Sequence, residues 1–209
     1  CGNSGCQMGG WFRKEIRSMA DIRGLKMRIP ALGGEIIARA GGTPVTMPGS
    51  EIFTSLQSGA IDAAEWIGPY NDLAFGLHKA AKYYYYPGWQ EPGSTLEMII
   101  NEAAFEGLPE DLREIVLTCA SATNDRMAAE FTARNAEALQ TLIRDHGVQV
   151  RPYPDDVMRE LQRLSAEVLA EASGTDPMFR RVLESLQAFR QTMTPYINIA
   201  ERAMLNSRG

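Results

Sequence analysis

Residues 109–146 constrain the fold of this chain more than any other stretch, because they read as one uninterrupted helix. Pro109 suits a first turn, Glu110 and Asp111 complement the positive end of the helix dipole, and Gly147 supplies a stop. Leu112, Ile115, Val116, Cys119, Met127, Phe131, Leu139, Leu142 and Ile143 form most of one apolar stripe. At 1.5 Å per residue such a helix is on the order of 55 Å long. That exceeds one small domain, so the pattern predicts a helix spanning two parts of the molecule. A break near Thr123 and Asn124 is the alternative. Cys119 lies on the stripe and reads as a small core residue.

Upstream of that helix, short strands alternate with helices. The first eleven residues are rich in glycine and read as a loop or strand exit, with Gln7 as the one long polar side chain. A strand over 26–29 ends at Pro30 and carries Arg28 between Met27 and Ile29, which point to the opposite face. A helix over 33–40 stops at Gly41 and Gly42, and residues 43–48 form another short β-type run. Ser50 reads as an N-cap for a helix that ends at Gly59, with Ile52, Phe53 and Leu56 on its apolar face. Residues 63–67 then read as a central strand. The β-α-β-α-β order predicts an α/β fold with a parallel or mixed sheet. A short helix over 69–77, an aromatic strand over 82–86 and a strand over 95–100 follow. The remainder reads as a strand over 148–154 and helices over 155–172, 176–193 and 195–205. In the aromatic strand a period of two predicts two tyrosines packed inward and two free to face a cleft.

Composition removes several function classes. A formal net charge of -5 with no basic stripe argues against a nucleic acid partner. No window offers the roughly 18 to 20 uninterrupted apolar residues of a membrane span. The two histidines, His78 and His146, have no Cys, Asp or second His at metal-ligand spacing, which argues against zinc. Phosphate-loop, dinucleotide and nucleophile-elbow motifs are absent. Cys1 and Cys6 could close a small loop, although close spacing alone does not establish the geometry. The chain opens on Cys1 without an initiator Met, which suits a processed chain or a fragment.

Four places carry candidate chemistry. Arg28 can offer a planar fork to a carboxylate, though a surface Arg paired with a nearby acid is the plainer reading. Glu65 and Trp66 run into Gly68-Pro69, placing a hard oxygen ligand beside a flat apolar wall. Glu, Gln and carbonyl oxygens suit Na⁺ or Ca²⁺ rather than Zn²⁺. A solvent-facing acid and a core Trp are the plain alternative there. Trp89-Gln90 repeats the pairing of an aromatic with an oxygen donor, just after the tyrosine run that ends at Tyr86.

Taken together, the segments GLKMRIP, GGTPVTMPGSEIFTSLQSGAIDAAEW and GLPEDLREIV resemble the solute-binding proteins of TRAP transporters. QMGGWF, AEWIGP and YYYPGWQEPG are similar to the branch that binds 2-oxo acids and related small monocarboxylates. The resemblance covers essentially the whole chain. It implies a periplasmic protein of two α/β lobes around a cleft, with the long helix running across both, and no enzymatic activity. It implies that Arg28 clamps a ligand carboxylate and that Gln7, Glu65, the Trp66 carbonyl and Gln90 hold a Na⁺ or Ca²⁺ ion. Tyr86 and Trp89 would wall the pocket. Residues 1–100 would be mainly the second lobe, and 101–209 the spanning helix, part of the first lobe and the C-terminal helices. Family members carry a further N-terminal segment, so a first lobe missing its N-terminal part is expected. The implied partners are a small carboxylate, the membrane subunits of the transporter and a second copy, joined by exchange of a C-terminal helix hinged at Thr194-Pro195. A small-molecule enzyme using Glu65 as general base is the alternative function, and a remnant that binds no ligand a third.

Overall fold

In the computed structural model, which describes residues 1–208, the chain divides into two compact units, residues 1–162 and 163–209. The first unit opens with two strands where the glycine-rich sequence suggested a loop or strand exit: β1 (Gly2–Cys6) and β2 (Gly10–Phe12). A 3-10 turn at Met19–Asp21, capped by the Ser18 hydroxyl, leads to β3 (Lys26–Arg28). Then come α1 (Ala31–Arg39), β4 (Thr43–Val45), α2 (Gly49–Ser58) and β5 (Ala63–Ala64). α3 (Pro69–Ala74) precedes a second 3-10 turn at Leu77–Lys79 and β6 (Tyr83–Tyr86). β7 (Gly93–Leu96), α4 (Glu102–Glu106), α5 (Glu110–Arg144) and β8 (Gln149–Pro152) complete the sequence up to α6 (Asp155–Thr175), whose start belongs to this unit.

Six strands form a mixed sheet in the order β4-β3-β5-β2-β6-β8, and β1 pairs antiparallel with β7 in a small second sheet. β3 runs parallel to both β4 and β5, which the two intervening helices require. β2 inserts antiparallel between β5 and β6. β6 is therefore a central strand covered on both faces. That is why Tyr84 and Tyr85 are both fully buried, against the alternation expected from period two. Tyr84 stacks on its cross-strand partner Trp11 at 4.1 Å, and Tyr85 meets Phe12 edge-on at 5.0 Å.

The interior of this unit is built around Trp11, Ile52, Leu56, Ile61, Leu77, Tyr84 and Leu142. One carboxylate lies within it. Asp72, on α3, accepts hydrogen bonds from Trp11 Nε1 at 2.8 Å, from the Tyr84 hydroxyl at 2.6 Å and from the Ile67 amide at 3.2 Å. Complete burial pushes its carboxyl up to about 6, while those donors pull it the other way.

Several boundaries differ from expectation for local reasons. Ser50 is not a cap: α2 starts at Gly49, two residues earlier than a Ser50 cap implies, with Pro48 at the N-cap position. Gly59 ends it in the left-handed region as expected. β5 is only two residues long, so Glu65 and Trp66 lie in its exit rather than within a strand. β7 stops at Leu96, and Ile99 beyond it is 89% exposed. α5 is continuous for 35 residues, about 52 Å, without a break at Thr123 and Asn124. It packs along β1 and α3. Its stripe is only partly used: Leu142 is buried, but Leu112, Ile115 and Cys119 are exposed, so Cys119 is not a core residue. Cys1 and Cys6 are both free and exposed.

The second unit is helical. α7 (Pro177–Ile197) starts at Asp176, whose side chain accepts from the Met178 and Phe179 amides. It continues through Pro195 without a break in the helix at Thr194-Pro195; a further irregularity follows in a π-helical turn at Asn198–Arg202 before α8 (Ala203–Ser207). Among the described residues no helix is long and apolar enough to cross a membrane.

Removing the buried carboxylate strands two buried donors, so Asp72→Ala is expected to cost about 3 kcal/mol or more in denaturant unfolding. Asp72 also binds its proton more tightly folded than unfolded. Its contribution is fully present below pH 3.8 and is lost as pH rises through about 6. Thermal melts should therefore show wild type losing stability relative to Asp72→Asn between about pH 4 and 6, with a constant difference above about pH 7. A constant difference over the whole range would contradict the assignment.

Candidate ligand and cation site

Three segments converge at the end of the large sheet: the link between β1 and β2, the exit of β5 and the turn after β6. Main-chain bonds hold them in place. The Met8 amide donates to the Ile67 carbonyl at 3.1 Å, the Gln7 amide to the Pro92 carbonyl at 3.1 Å, and the Glu65 amide to the Arg28 carbonyl at 3.2 Å. Two glycines permit the close approach. Gly10 has φ of +115°, and a Cβ there would sit 2.8 Å from the Ala64 carbonyl oxygen. A Cβ on Gly88 would sit 2.7 Å from the Gln7 carbonyl oxygen.

The side chains delivered here are mostly oxygen donors. Glu65 is 2% exposed and Gln7 6%. Gln7 Nε2 donates to Ser94 Oγ at 2.7 Å, and Gln90 Nε2 donates to the Met8 carbonyl at 3.1 Å. Both amide nitrogens are thus occupied, whereas Gln7 Oε1 and Gln90 Oε1 are buried without a hydrogen-bond partner. A buried carbonyl oxygen left without a donor is costly, and two in adjoining segments call for a cation or a donor. Among the described residues no cluster of three or more His, Cys, Asp or Glu exists to hold a metal, which leaves amide and carbonyl oxygens with one carboxylate as the available donor set. That set suits a hard cation such as Na⁺ or Ca²⁺.

Arg28 leaves β3 beside Glu65. Its Nη1 pairs with Glu65 Oε1 and also donates to the Glu65 carbonyl at 3.2 Å. Its guanidinium lies 5.4 Å from the centre of the Trp66 ring, which is itself stacked on Phe75 at 5.2 Å. Burial pushes the Glu65 carboxyl up to about 7; Arg28 pulls it down, and Glu91 and Asp72 add to the rise. A recess of about 190 Å³ opens beside these groups, lined by Ile29, Pro30, Leu32, Glu65, Gln90 and Glu91 among others.

The structure therefore brings together Gln7, Arg28, Glu65, Trp66 and Gln90. Of the predicted residues, Glu65 and Gln90 line the recess itself, whereas Gln7, Arg28, Trp66, Tyr86 and Trp89 do not, and Tyr86 is 43% exposed at the end of β6. Sequence reading missed Asp72, Glu91, Ser94 and Tyr153, whose hydroxyl donates to the Gly9 carbonyl at 2.7 Å. The only signal for Asp72 was an acid in a short helix directly after Gly68-Pro69.

Residues 1–175 match the DctP family, bacterial extracellular solute-binding protein family 7. The chain belongs to this family. A relative from Nostoc sp., the monocarboxylate 2-oxoacid-binding periplasmic protein all3028, is 43% identical over 98% of the chain. Two solved TRAP periplasmic solute-binding proteins superpose on 99% of it. That from Colwellia psychrerythraea, with bound calcium and pyruvate, is 40% identical with a TM-score of 0.94. That from Pseudoalteromonas atlantica T6c, with bound sodium and pyruvate, is 39% identical with a TM-score of 0.93. The chain spans 56% of the Nostoc protein and 63% of each solved chain. Family membership gives the solute-binding protein its α/β periplasmic-binding fold. It also sets aside the enzyme reading of Glu65, since the family binds solutes for transport.

Breaking the buried pair on one side leaves an uncompensated charge, whereas removing both sides does not. Arg28→Met and Glu65→Met are each expected to lower stability by about 3 kcal/mol, and the double substitution by much less than their sum. Additive losses in a denaturant-unfolding cycle would show that the pair is not coupled.

Proposed function

We propose that this solute-binding protein captures a small carboxylate, a 2-oxo acid such as pyruvate or a related hydroxy acid, together with Na⁺ or Ca²⁺. It acts in the periplasm and delivers the ligand to the membrane subunits of a TRAP transporter. The observation that carries the reading is the pair of buried, unpartnered glutamine oxygens, Gln7 Oε1 and Gln90 Oε1, the second on a residue that lines the recess with Glu65. Gln7, Gln90, Glu65 and the Trp66 carbonyl hold the cation, which supplies positive charge next to the ligand. Arg28 turns its fork to the ligand carboxylate, with two parallel charge-assisted bonds, and Trp66 walls the site. Tyr86 and Trp89 would join the wall only by moving. Residues 1–100 are mainly the second lobe on this reading, and 101–209 supply the spanning helix, part of the first lobe and the C-terminal helices. The relatives' bound pyruvate and cations support the ligand class.

The C-terminal unit supports a second element of the reading, a homodimer made by helix exchange. Met178, Val182, Leu186 and Phe189 form one exposed apolar face on α7. Exchange places that face against the partner copy.

Isothermal calorimetry on the full-length gene product should show pyruvate binding in Na⁺ or Ca²⁺ and loss of binding in a chelated, sodium-free buffer. Arg28→Lys should weaken pyruvate by about tenfold or more, because an ammonium cannot reproduce the fork. Unchanged affinity in Arg28→Lys would remove the clamp. Light scattering should give a dimer that Leu186→Glu with Phe189→Glu converts to monomer; a monomeric wild type would exclude exchange.

A further inference from the structure

A glutamine is a dependable cation ligand only if its amide cannot turn over, because a half-turn about χ3 replaces the oxygen with an NH₂ group. The two glutamines here are held in different ways. Gln90 is fixed by main chain: its Nε2 donates to the Met8 carbonyl, which can only accept. Gln7 has no such anchor. Its Nε2 meets a hydroxyl, Ser94 Oγ, at 2.7 Å, and a hydroxyl can both donate and accept. By itself that contact tolerates either orientation of the amide.

Glu91 removes the ambiguity. The Ser94 hydroxyl donates to Glu91 Oε1 at 2.6 Å, a separation typical of a charge-assisted bond. That bond uses the only proton Ser94 has. Its oxygen can then only accept from Gln7, so the Gln7 nitrogen must face Ser94 and Oε1 must face the buried side. The relay is short and local. Glu91 lies on the turn into β7 and Ser94, three residues on, is the second residue of that strand; the turn is tied to the Gln7 segment by the bond from the Gln7 amide to the Pro92 carbonyl at 3.1 Å. The Ser94 amide adds a bond to Ser4 Oγ at 3.2 Å, which fixes the serine against β1.

We propose that Glu91 and Ser94 are positioning residues that lock the Gln7 amide oxygen toward the cation site. The inference rests on the cation reading of Gln7, Gln90 and Glu65. It assigns to Glu91 a role through proton bookkeeping rather than through contact with the cation. Without the Glu91 carboxylate, Ser94 regains a proton to donate, and Gln7 can present its NH₂ group to the site.

The probe is Ca²⁺ alone, followed on the full-length gene product by calorimetry and by displacement of Tb³⁺ luminescence. Glu91→Gln and Ser94→Ala should each weaken Ca²⁺ by about tenfold or more, the usual effect of a lost outer-shell partner, while Ser94→Thr stays within about threefold of wild type. A carboxylate has no wrong way round. Gln7→Glu, alone or combined with Ser94→Ala, should therefore bind Ca²⁺ alike, a result that general loosening of the turn would not give. Wild-type binding with unchanged affinity in Glu91→Gln and Ser94→Ala overturns the relay and leaves the cation site standing. If the Ser94→Ala defect persists equally in the Gln7→Glu background, amide locking is wrong. No Ca²⁺ binding by wild type overturns the cation reading itself and the relay with it.

Discussion

A carboxylate shut away from water must be met by donors, and Asp72 is met by groups from three separate segments. Trp11 comes from β2, Tyr84 from β6 and the Ile67 amide from the exit of β5. Two of these strands are neighbours in the sheet, and the third group lies one residue beyond Trp66. One buried oxygen pair thus sets the stack of Trp11 on Tyr84 and the course of the chain that carries Glu65 and Trp66. Replacing any donor by an apolar group would leave the carboxylate short of a partner, a cost comparable to a sizeable share of a domain's net stability.

From that fixed turn outward, the site is assembled by groups that cannot exchange roles. Main-chain bonds bring the Gln7, Glu65 and Gln90 segments together, and glycines at positions 10 and 88 let them approach to distances that a side chain would forbid. The amide nitrogens are then occupied, and oxygens remain. An interior that leaves oxygens unpartnered is unfavourable when empty, and it is the arrangement in which a bound cation gains most.

The parts legible in the sequence were those fixed by local rules. The 35-residue helix, the stop at Gly59 and the order of strands and helices from β3 to β5 follow from periodicity and capping. Parts set by pairing were hidden. β2 is only Gly-Trp-Phe, too short and glycine-marked to announce itself, yet it occupies the middle of the sheet because β5 and β6 both pair with it. The tyrosine run lost its expected alternation because packing covers both faces of the sheet at Tyr84 and Tyr85, while Tyr86 at the strand end stays exposed. Arg28, Glu65 and Gln90 were legible through family motifs. Asp72, Glu91 and Ser94 were not, because their roles lie in hydrogen bonds between positions whose proximity the fold creates. Cys119 was misplaced because a stripe predicts which face is apolar and not how far along the helix a partner reaches.

Charge balance links the pair seen in the structure to the ligand class proposed for it. Arg28 and Glu65 form a nearly closed, largely buried ion pair with no net charge. Adding a carboxylate alone would place a further uncompensated negative charge in a recess that Glu91 also lines, at a cost of several kcal/mol. Glu91 lines the same recess, so with its carboxylate counted a monovalent cation and the ligand together leave one negative charge, whereas a divalent cation brings the site to neutrality. On the proposed reading either combination would also give Glu65 a new partner, which would free the Arg28 fork to turn from one carboxylate to another. The cation is then what makes the exchange of partners affordable: without it, Arg28 can satisfy the ligand only by abandoning Glu65 in the interior.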